Sequence, residues 1–396
     1  MNSMTWIVFK KEMSDLFRDR KSFLSAVVLP IILIPAIMFI IGTALSRNQQ
    51  DVTSKLNIAI VGEQNTGLES MLKANPNVNI IPVKNPQEAL NNEEIYLYID
   101  IPNNFESTVN SQEGSSKIKI YFDNTSQKSS IAMGSIENLI NEYNTEVVSK
   151  RLKNMGVKDS MLKPVTIESM GIGAQNEAAA KSIQMISMLL PMFVLIYAAQ
   201  GGIAAATDLG AGEKERGSLE PLLSTRASRS SILIGKLGAI TVMGILSTIS
   251  GLAGVIIAFF VPNSMMRLNG GMALEWGAVG VIAILSILIT LSFSALQLAI
   301  SVYAKSFKEA QTYLGFVLFA PMIISYVSMA IDTKGAASIL FNIPIFNDVL
   351  LMKEVIVGIY NPVHMALTFG WSIVYIVLAV LLARYMFNKE SVLFRS

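Results

Sequence analysis

Two stretches carry glycines at the spacing of a phosphate-binding loop: Gly62-Glu63-Gln64-Asn65-Thr66-Gly67 and Gly212–Gly217. Such a loop needs a lysine and a hydroxyl residue directly after its second glycine. Leu68-Glu69 and Ser218-Leu219 stand there instead, so neither run can seat a β/γ-phosphate with a lysine. The 396 residues include no cysteine, which excludes disulfide frameworks, thiolate zinc sites and thiolate-held iron–sulfur clusters. No metal site is expected. The single histidine, His364, leaves no Cys–His pair and no Ser–His dyad of ordinary kind. At the head of an apolar run it reads as interfacial. A net charge of +2 with no concentrated basic face argues against nucleic acid as a partner.

The remaining chemistry lies in polar groups within apolar runs. Gln200, Ser247, Thr248, Thr290, Ser294, Gln297, Ser325 and Tyr326 all stand in such runs. Serine and threonine there mostly bond back to their own helix, yet together these groups could line a polar route. A hard cation accepts oxygens of this kind.

The runs that hold them have the length of membrane spans. Hydrophobic residues make up 52% of the chain, charged residues only 15%, and mean hydropathy is +0.49. About 20 apolar residues cross a bilayer as a helix. Six segments qualify: 23–46, 182–207, 237–261, 276–304, 312–331 and 365–383. As drawn they contain no Asp, Glu, Lys, Arg or His, the residues that mark ion pathways in pumps. Stripes of small residues, Ala198/Gly202/Ala206 and Ser250/Gly254/Ala258, suit close helix packing. Pro30, Pro35, Pro191 and Pro321 predict kinks or breaks.

Residues 47–181 differ in character, with a charge density near that of a soluble protein and enough length for their own core. Runs at Leu56–Val61, Val78–Val83, Ile95–Ile101 and Lys117–Phe122 predict strands. Gly67–Ala74, Gln87–Asn91 and Ser130–Met155 predict helices, giving an inserted α/β domain. Lys/Arg residues in the short flanks set the orientation. Fifteen lie on one side: Lys10, Lys11, Arg18, Arg20, Lys21, five in 208–236, Lys305, Lys308, Arg384, Lys389 and Arg395. Arg267, Lys334 and Lys353 lie on the other. The bias predicts cytoplasmic termini, with 384–396 as a cytoplasmic tail, and an extracytoplasmic α/β domain.

Two cytoplasmic elements follow. In residues 1–22, Trp6, Phe9, Met13, Leu16 and Phe17 share one helical face, and Lys10, Lys11, Asp15, Arg18 and Asp19 the other, as in a helix lying in the interface plane. In the 208–236 loop, Ser218 opens a short helix with Leu219, Leu222 and Leu223 on one face, beside Glu215, Arg216 and Glu220. Such a helix suits a groove on a partner protein. Within the outer loop 332–364, the apolar stretch Ala336–Leu351 is interrupted by Asn342, Pro344 and Asn347-Asp348. It is too short to cross and predicts a re-entrant hairpin.

The run Glu215-Arg216-Gly217-Ser218-Leu219-Glu220, with Leu222-Leu223-Ser224 and then Ser228–Lys236, closely resembles the cytoplasmic loop of the ABC type-2 permease family. Lys11-Glu12…Asp15-Leu16…Arg18-Asp19…Lys21 and the Pro30/Pro35 helix fit the same family. So do Ile343-Pro344, Leu350-Leu351-Met352-Lys353 and the tail Phe387…Glu390…Leu393-Phe394. The whole chain is similar to membrane subunits of sodium-exporting transporters of this family.

The resemblance implies a six-helix half-transporter without catalytic residues or a cofactor of its own, sitting in the bacterial cell membrane. It would pair with a second permease copy, and two separate ABC ATPase subunits would bind the ATP and magnesium. The loop would be a coupling helix, touching the ATPase through Glu213, Glu215, Arg216, Leu219, Glu220, Leu222 and Leu223. The N-terminal segment, with Trp6, Phe9, Lys10, Met13, Phe17 and Arg18, would be a connecting helix. Nothing in these motifs is specific for sodium. Export of a drug, antimicrobial peptide or lipid stays open, and a membrane-anchored sensor is a third reading, disfavoured because the longest cytoplasmic segment has only 29 residues.

Overall fold

A computed structural model describes residues 3–111, 114–156, 177–267, 274–332 and 335–389. Lys334, Glu390, Leu393, Phe394 and Arg395, used above, lie outside the described residues. The chain forms two compact units, Met1–Ile40 with Gly171–Ser396, and Ile41–Met170.

The first unit is helical. After an N-terminal helix, Ser3–Arg18, six helices among the described residues are long and apolar enough to cross a membrane: Arg20–Ser54, Ala179–Glu215, Arg229–Phe260, Trp276–Tyr303, Phe307–Met329 and Pro362–Asn388. Most run past the apolar stretches, because their polar flanks keep a helical backbone and gain caps there. The Ser228 hydroxyl accepts from Ser231 N at the head of the third helix, Ser306 from Glu309 N at the fifth, and Asn361 from Val363 N at the sixth. The second helix passes the expected end at Thr207 through a π-turn, Asp208–Gly212, before stopping near Glu215. Gly217, at φ +69°, follows that stop.

The prolines act locally. A π-turn at Leu24–Val28 precedes Pro30, and the first helix continues through Pro35. Pro191 lies inside an unbroken helical segment. The fifth helix is interrupted at Leu318, which places Pro321 in the first turn of its second half, where a missing amide is tolerated. Gly254 serves close packing: a Cβ there would meet Pro30 O at 2.5 Å, so the first and third helices touch backbone to side.

Between the fifth and sixth helices the expected breakers act differently. Ser338–Asn342 forms a 3₁₀ turn, and Phe346–Ile356 forms an α-helix with Asn347 and Asp348 in its first turn. Ile345, at φ +68°, turns the chain into it. All eleven residues of this helix are buried. At 1.5 Å per residue it is about 16 Å long, roughly half a bilayer core.

In the second unit, four strands, β1 (Leu56–Gly62), β2 (Val78–Ile80), β3 (Leu97–Ile101) and β4 (Lys119–Phe122), form a sheet of order β2-β1-β3-β4. β1 pairs in parallel with β2 and β3, and β4 is antiparallel to β3. Ile58, Leu97, Ile99 and Ile101 pack with Leu68 and Leu72 of helix Gly67–Ala74 and with Ala132 and Ile136 of helix Gln127–Asn154. The loop after β1 is filled by its own carboxylates. Glu69 accepts from Asn65 N, Glu106 from Gly67 N and Glu63 from Phe105 N, at 2.5 to 2.8 Å. Two amides of the glycine loop, Asn65 N and Gly67 N, are therefore already bonded to anions.

Candidate functional site

A buried ionic junction joins three elements distant in sequence. Lys236, in the second turn of the third helix, is fully buried, as is Glu12 on the N-terminal helix, and Glu213 at the end of the second helix is 4% exposed. Lys236 Nζ donates to Glu12 Oε1 at 3.1 Å and to Glu213 Oε2 at 2.5 Å. Lys11 Nζ, half exposed, completes the square with Glu213 Oε1 at 3.0 Å and Glu12 Oε2 at 3.2 Å. Two ammonium groups thus balance two carboxylates, the condition under which charges tolerate burial. Burial alone would lower the Lys11 pKa, but the nearby carboxylates of Glu12 and Glu213 outweigh it and hold it above the ordinary lysine value.

The N-terminal helix fits here because Gly235 leaves room: a Cβ at that position would lie 2.7 Å from Val8 Cγ1 and 3.1 Å from Phe9 N. The stripe it buries is Thr5, Val8, Glu12 and Leu16, at helical spacing. The face that packs on the protein is thus distinct from the aromatic one. Trp6 and Phe17 are exposed, with Trp6 stacked on Phe9 and Phe17 tilted against Phe23. Phe9 and Met13 are half-buried at the edge, and Lys10 and Arg18 are exposed. Glu12 and Lys236 escape a sequence reading because their partners lie 224 residues apart. Their one signal was membership of the family-like runs Lys11-Glu12 and Ser228–Lys236, which says nothing of their pairing.

The proposed ATPase-contacting residues divide in two. Glu213 is consumed by the junction, and Leu219 is buried against the chain's own core, with Leu222 and Leu223 half-buried beside it. These four face inward, contrary to the expectation that the leucines project into a partner. The exposed set is Glu215, Arg216 and Glu220. Arg216 pairs with Asp208 at 2.8 Å, and Glu215 accepts from Phe307 N at 2.6 Å, linking the loop to the head of the fifth helix.

The polar residues of the spans do not form one route. Ser247, Thr290, Ser294 and Gln297 are buried where the second, third and fourth helices meet. Gln297 Nε2 donates to Ala199 O at 2.5 Å, and a Cβ on Gly202 would lie 2.3 Å from Gln297 Oε1. Thr248 and Thr290 bond back to Gly244 O and Ser286 O, the packing role foreseen for such hydroxyls. Both also line an apolar cavity of about 540 Å³ with Leu190, Ile249, Ile256 and Trp276. Ser325 is buried on the fifth helix, whereas Gln200 and Tyr326 are exposed.

A second ionisable cluster surrounds the Phe346–Ile356 helix, and it corrects the picture of spans without charged company. Lys353 Nζ donates to Ser328 O and Ile331 O, at 2.8 and 2.7 Å, at the end of the fifth helix. Glu354 Oε1 lies 2.8 Å from His364 Nδ1, and His364 Nε2 lies 3.0 Å from Ser338 Oγ. His364 is buried and stacked on Phe341, so it is no simple interfacial residue. One histidine suffices for a Ser–His–Glu hydrogen-bonded chain, which counting histidines had excluded. Asp348 accepts from Ser372 Oγ at 3.1 Å.

Among the described residues, six helices long and apolar enough to span a membrane, with an N-terminal helix locked to the third of them, define a polytopic membrane protein. The family model described as "ABC-2 family transporter protein" matches residues 21–385, and the chain belongs to that family. It is 31% identical over 385 residues, 97% of each chain, to the ABC transporter permease protein NatB of Bacillus subtilis (strain 168).

Proposed function

We propose that this chain is the permease half of an ATP-driven exporter in the cell membrane. Two copies pair, and two separate ABC ATPase subunits bind beneath them and hold the ATP and magnesium. The termini and the loop around Leu219–Leu223 are cytoplasmic, the sheet-bearing unit is extracytoplasmic, and the cargo is sodium. The observation that carries this reading is the Lys11–Glu12–Glu213–Lys236 junction. It fastens the N-terminal helix, the loop and the third helix into one body, so a push on the exposed loop moves the spans. Glu215, Arg216 and Glu220 supply the polar contacts to the ATPase.

Inverted membrane vesicles holding the chain and its ATPase should accumulate ²²Na⁺ only with ATP. Glu220→Arg should abolish that uptake while leaving membrane insertion intact. Undiminished uptake in Glu220→Arg rejects the coupling assignment.

A second reading, export of an amphiphile, is favoured by the apolar cavity lined by Leu190, Ile249 and Trp276. If the same vesicles move dyes or lipids but no sodium, that reading replaces the first.

A further inference from the structure

Among the described residues, eight buried side-chain polar atoms have no partner; Ser294 Oγ and Gln297 Oε1 lie on the fourth helix, and the other six lie on one short helix and its two neighbours. Asn347 Nδ2 and Oδ1 and Glu354 Oε2 lie on Phe346–Ile356, and Ser325 Oγ, Thr368 Oγ1 and the Tyr375 hydroxyl lie on the fifth and sixth helices. Asn347 and Thr368 are completely buried. Such atoms are rare in folded proteins and point to an occupant that is neither backbone nor side chain.

Asp348, on the same helix, meets Ser372 of the sixth helix. It is 4% exposed and, among the described residues, forms no ion pair. Lys353, on the same helix, is committed to the carbonyls of Ser328 and Ile331, and Glu354 to His364. Asp348, Ser372, Tyr375 and Ser292 line a cavity of about 310 Å³ whose other walls are mainly apolar. Ser372 Oγ lies within hydrogen-bond distance of both Asp348 Oδ1, at 3.1 Å, and Thr368 O, at 2.8 Å. One hydroxyl hydrogen can serve both acceptors only as a shared, weaker three-centre bond.

We infer that Asp348, with the oxygens of Ser372, Thr368 and Tyr375, forms a binding site for a monovalent hard cation. With the ion present, the Ser372 hydrogen turns to Thr368 O. Its oxygen and the Asp348 carboxylate then both face the cation. The ion neutralises the one carboxylate, whereas a divalent ion would leave excess charge against apolar walls. A proton would also neutralise Asp348, but it would leave the Thr368 and Tyr375 hydroxyls unpaired. This site deepens the export reading above, on which it rests only for making the ion the cargo.

The test is equilibrium binding of ²²Na⁺ to the full-length chain in lipid nanodiscs, with choline as the inert cation. The wild type should bind saturably. Asp348→Asn should bind at least tenfold more weakly, and Ser372→Ala and Thr368→Val several-fold more weakly, with melting temperatures in choline unchanged. If Asp348→Asn does not fold, the Ser372 and Thr368 variants decide. Undiminished binding in the variants overturns the site, as does a wild type that takes up protons on titration but no sodium. A chain that binds at Asp348 yet exports no sodium in ATP-loaded vesicles keeps the site and loses the cargo reading. Sodium export that survives Asp348→Asn together with wild-type binding keeps the cargo and loses the site.

Discussion

Among the described residues of the helical unit, ionisable side chains are buried in two groups, and they are built on opposite terms. Around Lys236 every charge has its complement: two lysines face two glutamates, and four short contacts close the square. Around the Phe346–Ile356 helix, Asp348 meets only a serine hydroxyl, Glu354 uses one of its two oxygens, and Asn347 uses neither side-chain atom. The two are also far apart. Phe307, at the head of the fifth helix, bonds Glu215 near the first group, whereas Lys353 of the second holds the tail of that same helix. A finished ionic square stabilises one arrangement. An unfinished polar group keeps free energy in reserve for something that binds.

The contrast predicts unequal responses to charge removal. The largest effect belongs to Lys236→Met, which leaves two buried carboxylates sharing the single half-exposed ammonium of Lys11 and should cost about 3–5 kcal/mol. Thermal unfolding in detergent should show a large fall in melting temperature, partly restored by adding Glu12→Met. An unaltered melting temperature would mean that the square contributes nothing. Next, Gly235→Val should push the N-terminal helix off the third helix at a cost of about 1–3 kcal/mol, read as faster proteolysis near Arg18. At the other group, His364→Ala should cost about 1–3 kcal/mol by leaving the buried Glu354 unpaired. Asp348→Asn should by contrast leave the melting temperature in choline unchanged, since it deletes a charge with no ionic partner. If Asp348→Asn destabilises as much as Lys236→Met, the two groups are alike and the distinction fails. Smallest of all, Glu220→Ala, on an exposed loop position, should not move the melting temperature measurably while still weakening ATP-driven transport.

Much of the architecture could be read from periodicity. The six apolar helices and the four strands follow from apolar run length and residue type, because these are local properties of the chain. The sites were harder. Glu12 looks like one more charge on a basic amphipathic helix, and the true buried stripe is displaced from the aromatic one by about a quarter turn. Lys236 looks like the end of a loop, although helix Arg229–Phe260 already encloses it. Asp348 looks like a helix breaker, yet it sits inside a helix because neighbours on the sixth helix shelter it. In each case the deciding partner is remote, and hydropathy scores a charge as solvent-seeking whether or not a counter-charge waits for it. The leucines of the loop misled for the mirror reason: an apolar face can be satisfied at home.

Lys353 and Glu354 are consecutive, so their side chains leave the helix about 100° apart. One grips the fifth helix and the other the sixth. Any roll of this short rod that slackens one grip tightens the other. The fifth and sixth helices are yoked through one short rod, and they part only if it shifts along its axis or lets go of both at once.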